Sequence, residues 1–308
     1  MTAPRWRALD LARGLSVVAM IVFHTIWDLS HFGYIAANIP WSPAMRLFGH
    51  AIAFAFLFIA GVSLALASVD GLDMRMFGRR LARVGAAAAL VTLGTWMVFP
   101  GAFVFFGILH CIVVASIVAL AFLRAPWPLT LCAALFCFIA PALLTSPAFN
   151  APALFWLGLG TRETMTQDWR PFFPWAGALL LGVASAHALR LPARAATALS
   201  EPAGGVMRAT CFLGRHSLGV YLLHQPLLFA LFSGLAFIAP PTTDRASFIV
   251  ACERRCVANG EDKESCHDLC VCTAEEAQRA HALAGVSDDA ERRRRLGAIT
   301  RLCRERLQ

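Results

Sequence analysis

The 308-residue chain is 58% hydrophobic and only 15% charged, with a formal net charge of +8 and a mean hydropathy of +0.63. Soluble domains average about 45–50% apolar and 25% charged residues, so this composition excludes an ordinary water-soluble enzyme and indicates an integral membrane protein. The positive charge sits at the ends of apolar runs, with no basic stripe interleaved with aromatics, so nucleic acid is not the expected partner.

A span needs roughly 20 apolar residues. Seven runs qualify, at about 9–28, 45–68, 81–99, 103–123, 129–146, 172–190 and 211–239. The first is no cleavable signal peptide, because it contains charges and no small-x-small site ends it. Ala148–Gly160 is too short to span and reads as a re-entrant or interfacial segment. Pro226 predicts a kink in the seventh run.

Arginine carries nearly all the positive charge, Lys263 being the only lysine. With the N-terminus inside, the inner ends hold Arg5, Arg7, Arg13, Arg75, Arg79, Arg80, Arg83, Arg124, Arg190, Arg194, Arg208 and Arg215. The outer ends hold Arg46, Arg162 and Arg170, a strong positive-inside bias. Seven spans then put the C-terminus outside.

The first run carries Asp10, Arg13, His24 and Asp28. An ionisable residue at bilayer depth costs about 2.5–3.5 kcal/mol on insertion scales and marks a functional position. His24 and Asp28 are four apart and share one helix face. His31 lies just beyond, His50 opens the second run, His110 lies about two turns into the fourth, and His224 is near the middle of the seventh. Four of these five fall in the outer third, level with Asp28, Asp168 and Arg170. A hydrogen-bonded core histidine is the simpler account of any one of them. Their shared depth, and the carboxylate one turn from His24, point to a site. A histidine beside a carboxylate is suited to proton abstraction, and a neutral imidazole can also attack an acyl carbon. The candidate catalytic residues are His24, Asp28, His110 and His31.

At the inner surface, Arg79, Arg80 and Arg83 open the third run, Arg215 and His216 open the seventh, and Arg13 is one turn inside the first. They read either as topology determinants facing lipid headgroups or as a pocket for a phosphorylated donor. Asp10 with Arg13 reads more simply as a structural ion pair. Gly61-x-Ser63 allows close helix approach. Pro171, Pro174 and Trp175 read as an interfacial anchor.

The tail, Pro241–Gln308, differs in composition: 12 Lys/Arg against 12 Asp/Glu, and six of the ten cysteines. These are Cys252-x3-Cys256, Cys266-x3-Cys270-x-Cys272 and Cys303, with the turn signal Asn259-Gly260 between the first two groups. Two short antiparallel helices would set Cys252 against Cys270 and Cys256 against Cys266, which resembles twin-CX3C hairpins, leaving Cys272 for Cys303. Six cysteines allow 15 connectivities. A zinc site using His267 and free thiols in a cytosolic tail are the other readings. Cys111, Cys132, Cys137 and Cys211 read as packing.

An ordered set of residues carries a family resemblance: Leu9-Asp10-x-x-Arg13-Gly14, Met20, His24-x-x-Trp27-Asp28-Leu29, Phe56-Leu57-Phe58-x-x-Gly61-Val62-Ser63, Phe105-Phe106-Gly107-Ile108-Leu109-His110, Phe173-Pro174-Trp175, and Gly214-Arg215-His216-Ser217-Leu218-x-x-Tyr221-Leu222-x-His224-Gln225-Pro226. Over roughly residues 5–240 the chain resembles bacterial proteins with the heparan-alpha-glucosaminide N-acetyltransferase catalytic domain. The resemblance implies an acetyl group passing from cytosolic acetyl-CoA to an amine or hydroxyl of a sugar or glycan on the far side of a bacterial inner membrane, with a histidine near the first span. His24 and His31 both qualify as that histidine. The donor would enter by the arginine-rich face, at Arg13, Arg79, Arg80, Arg83 and Arg215. The chain has fewer spans than the animal enzyme and carries the cysteine tail.

The expectation is therefore an all-α, polytopic membrane helix bundle of about seven spans over residues 1–240, with an extracytoplasmic helical cysteine-rich tail over 241–308. It places the N-terminus in the cytoplasm and the tail in the periplasm. Acetyl-CoA is the expected co-substrate, with no metal. Membrane lipids, a glycan acceptor and further copies of the chain are the expected partners. Two alternatives remain: a seven-span transporter with a His/Asp proton relay, which lacks the usual inverted repeat, and a haem protein ligated by His24 and His110.

Overall fold

The computed structural model describes residues 7–36, 38–69, 71–162, 165–190, 204–239, 245–280 and 289–307. Arg5, Arg194 and the compositional boundary at residue 240 lie outside them. Among the described residues the regular structure is helical throughout. The helices are α1 (Arg7–His31), α2 (Pro43–Ala67), α3 (Met74–Val98), α4 (Ile108–Ala119), α5 (Trp127–Leu144), α6 (Phe172–Ala188), α7 (Gly205–Arg215), α8 (Ser217–Ile238), α9 (Arg245–Ala258), α10 (Lys263–Arg279) and α11 (Asp289–Leu307). Five of them, α1, α2, α3, α5 and α8, are long and apolar enough to cross a membrane, and α4 and α6 are shorter apolar helices. The protein is thus an all-helical membrane protein, and each of the seven apolar runs coincides with one of these helices.

Four boundaries depart from the hydropathy reading. α4 begins only at Ile108, so His110 lies in its first turn rather than two turns in. α1 continues to His31, so that residue ends the helix rather than following it. α3 begins at Met74, because the Asp73 carboxylate accepts the N–H groups of Arg75 and Met76 and caps it; Arg79, Arg80 and Arg83 therefore lie inside the helix. The last run breaks at His216: Cys211–Arg215 ends the amphipathic α7, and α8 then runs uninterrupted through Pro226. Ala148–Gly160 forms two 3-10 turns instead of a span.

The chain divides into two compact units, Met1–Ile21 with Leu47–His224, and Val22–Arg46 with Gln225–Gln308. In the first, α5 and α4 pack along α6, and α3 packs along α4. Its core is built from fully buried Leu57, Leu64, Leu179 and Val183, with Cys111, Ala115 and Ala134. Glycines bring backbones into contact. A Cβ on Gly61 would meet the Leu179 carbonyl oxygen, and one on Gly182 the Phe58 oxygen, so α2 and α6 touch at a reciprocal glycine pair. Gly14 and Gly214 do the same for α1 and α7. Large apolar side chains such as Leu90, Leu93, Trp96 and Met97 on α3 face outward, as a lipid-facing surface requires.

In the second unit, α10 packs against α9 and α11. Disulfides join Cys252 to Cys270, Cys256 to Cys266, and Cys272 to Cys303, with Cα separations of 5.8, 5.7 and 5.9 Å. This is the pairing the spacing suggested, and it overturns the free-thiol and zinc readings. His267 pairs with Glu253 instead. The enclosed apolar core here is small, centred on Leu269, Ala277, Ile299 and Cys303, and a core of that size needs covalent staples.

Candidate functional site: an arginine-lined cavity and a buried carboxylate

The first unit contains an open cavity of about 280 Å³. Its charged lining comes from three places: Asp10 and Arg13 on α1, Arg80 and Arg83 on α3, and Arg215 at the end of α7. Phe56, Ile59, Ile108, Leu109, Ile112 and Leu218 supply apolar wall, and Ser217 and Tyr221 add hydroxyls. The Gly14–Gly214 contact is what brings Arg215 to Asp10. A Cβ on Gly214 would stand 1.8 Å from the Asp10 carbonyl oxygen.

Asp10 is only 3% exposed. Its two carboxylate oxygens lie 3.4 Å from Arg13 Nη1 and 3.4 Å from Arg215 Nε. Arg13 Nη2 also donates to Ser63 Oγ, which donates to the Ile59 carbonyl. The carboxylate thus holds two guanidiniums at the cavity wall while engaging only part of each. Four arginines against one aspartate leave the lining three charges positive. Such a site wants an anion of several charges, and guanidinium forks suit phosphate.

The sequence named Arg13, Arg79, Arg80, Arg83 and Arg215. Four converge here, whereas Arg79 is exposed and absent from the lining. The helical period explains this: Arg80, Arg83 and Val84 share a face, and Arg79 lies one residue off it. Ser63, Ser217 and Tyr221 were not singled out as site residues. The Gly61-x-Ser63 motif had been assigned to packing alone.

The histidines are distributed over both units. His24 is half-buried, with the Phe23 ring edge-on to it at 5.4 Å. His31 stacks on Trp27 at 5.0 Å and leans on Phe229. Asp28 is fully buried, and its Oδ1 accepts a hydrogen bond from Gln225 Nε2 at 2.9 Å. In the other unit, His110 Nδ1 accepts the Gly107 N–H at 3.2 Å, and Nε2 lies 3.3 Å from Thr92 Oγ1. His224 is 8% exposed and its Nδ1 lies 2.7 Å from the Tyr221 carbonyl oxygen, so Nδ1 carries the proton. His50 rests edge-on against Trp175, over which the Arg170 guanidinium also sits. Asp168 accepts the Ile108 N–H at 2.9 Å and so caps α4. Gln225 is the residue sequence reasoning passed over. It was visible in His224-Gln225-Pro226, but nothing local tied it to Asp28.

Fold and cavity together define a polytopic helical membrane protein with an arginine-lined cavity. The chain belongs to the heparan-alpha-glucosaminide N-acetyltransferase catalytic family, whose family model matches residues 5–226. It is accordingly a membrane protein of acetyltransferase type. Comparison with curated proteins and with solved structures finds no match.

Proposed function

We propose that the protein transfers an acetyl group from acetyl-CoA to an amine or hydroxyl of an envelope sugar or glycan across a bacterial inner membrane. The observation that carries this is the cavity in which Arg13, Arg80, Arg83 and Arg215 converge. A coenzyme A donor carries its negative charge on phosphates, and this lining has the guanidiniums to pair with them. The positive-inside bias supports a cytoplasmic entry for the donor, with the N-terminus inside and the disulfide-bonded tail outside.

In the transfer, the acceptor nitrogen or oxygen attacks the acetyl carbonyl carbon. The C–S bond breaks, and the coenzyme leaves as its thiol or thiolate. The acceptor must lose a proton, and His24 is the proposed base that takes it. His31, seven residues on and on the same face of α1, is its rival.

The test is acetyl-CoA binding and turnover by the detergent-solubilised full chain. Replacing both Arg80 and Arg83 by Gln should raise the donor KM about tenfold or more and change kcat less, the pattern of lost uniform binding. His24→Gln should abolish transfer while donor binding persists. Absence of acetyl-CoA binding by the folded wild type would overturn the reading. Loss of activity in His31→Ala but not His24→Gln would move the base two turns along α1.

A further inference from the structure

Asp28 is fully buried. A carboxylate has two oxygens to satisfy, and only Oδ1 has a donor, the Gln225 amide at 2.9 Å. Oδ2 has no hydrogen-bond partner among the described residues, and neither does the buried Gln225 Oε1. Turning the amide over would set its oxygen against the carboxylate, so the observed orientation is the sensible one. It leaves two buried acceptor oxygens, from α1 and α8, without a donor between them. Buried polar groups in native proteins are almost always paired, and each exception calls for a ligand, an ion or a water. An ionisable group at this depth marks a functional position by default.

The charge fixes the kind of occupant. One carboxylate and one neutral amide balance a single positive charge. A divalent ion would want more anionic ligands, and no group of three or more His, Cys, Asp or Glu side chains suited to a metal occurs among the described residues. We propose that Asp28 and Gln225 form a binding site for a group carrying one positive charge, either a small inorganic cation or a protonated amine. Both offer what the two oxygens lack, a positive centre within coordination or hydrogen-bond reach. Neither Asp28 nor Gln225 lines the arginine cavity, and the ligand here is measured without acetyl-CoA.

The experiment follows thermal unfolding of the full chain in neutral-lipid nanodiscs. Sodium chloride, ammonium chloride and glucosamine hydrochloride are each titrated against choline chloride at equal ionic strength. A saturable rise in Tm with sodium identifies a free ion. A rise with ammonium and glucosamine but not sodium identifies an amine, and would then place the acceptor's amino group here. Either effect should weaken about tenfold or more in Asp28→Asn, the usual cost of losing a charged hydrogen-bond partner. Gln225→Glu keeps the size and adds a second carboxylate, so it should let calcium stabilise the protein where the wild type ignores it. This second variant serves if Asp28→Asn does not fold. Equal Tm in all salts, or an unchanged response in both variants, overturns the proposal. That failure would leave the transferase reading intact, just as a failure to bind acetyl-CoA would leave this site intact.

Discussion

His110 shows how a residue with catalytic chemistry can be spoken for by structure. Its Nδ1 accepts the Gly107 N–H, so in the neutral ring the proton sits on Nε2. From there it is donated to Thr92 Oγ1, whose own hydroxyl proton goes to the Val104 carbonyl. The ring thus ties the first turn of α4 to α3, and neither nitrogen is left over for a substrate. His110→Ala should lower unfolding free energy by about 1–3 kcal/mol, the cost of unmet buried partners, while the rate per folded molecule stays within about tenfold of wild type. A rate loss of about 10²-fold or more at unchanged stability, the size of a general acid–base contribution, would place His110 in the chemistry. Asp10 works by a different route. It sets the direction of Arg13 and Arg215, so Asp10→Ala should weaken donor binding even though it removes a negative charge from an anion pocket. Isothermal titration with coenzyme A checks the sign. Tighter binding would mean that the carboxylate competes with the ligand rather than positioning its partners.

At the level of elements, glycine contacts decide where the arginines stand. α1 and α7 meet backbone to backbone at Gly14 and Gly214, which sets Arg215 beside Asp10. Gly214→Ala must push α7 away from α1. We expect a stability loss of about 1–3 kcal/mol, as for other overpacked positions, and a rise in donor KM in the same variant. Gly234→Ala on α8 is the control, because nothing lies within 4 Å of its added Cβ. Its effect should stay within about 0.5 kcal/mol of wild type. Circular-dichroism melts with steady-state kinetics on the same preparations separate the two cases. The α2–α6 contact at Gly61 and Gly182 belongs to the same design, and it carries Ser63 to the side chain of Arg13.

For the whole molecule, the tail is the part whose order depends on covalent bonds. Its disulfides close loops with sequence separations of 18, 10 and 31, and each such closure stabilises by about 2–4 kcal/mol in the chain-entropy model. Mild reduction should therefore expose residues 245–307 to proteolysis. Donor binding should persist, because every residue lining the cavity belongs to the other unit. Limited trypsin digestion with and without thiol reagent, followed by coenzyme A titration, reads both. Loss of donor binding on reduction would show that the tail supports the pocket. A periplasmic reporter fused after Gln308 should be active, in keeping with the arginine bias.

Local pattern was enough for the class of protein and the seven apolar runs, and cysteine spacing suggested, out of 15 connectivities, the pairing that the structure has. Class and runs rest on composition, and the cysteine pattern on i, i+4 spacing, where helix geometry relates sequence position directly to a face. The amphipathic break at His216 and the early start of α3 were missed because hydropathy averages over windows, whereas a cap at Asp73 or a turn acts at single residues. What only the tertiary structure decided are meetings between distant segments. Asp10 and Arg215 are 205 residues apart, and Asp28 and Gln225 are 197. No periodicity encodes such pairs. They arise because glycines let particular helices touch and because a buried charge takes whichever partner the packing brings within reach.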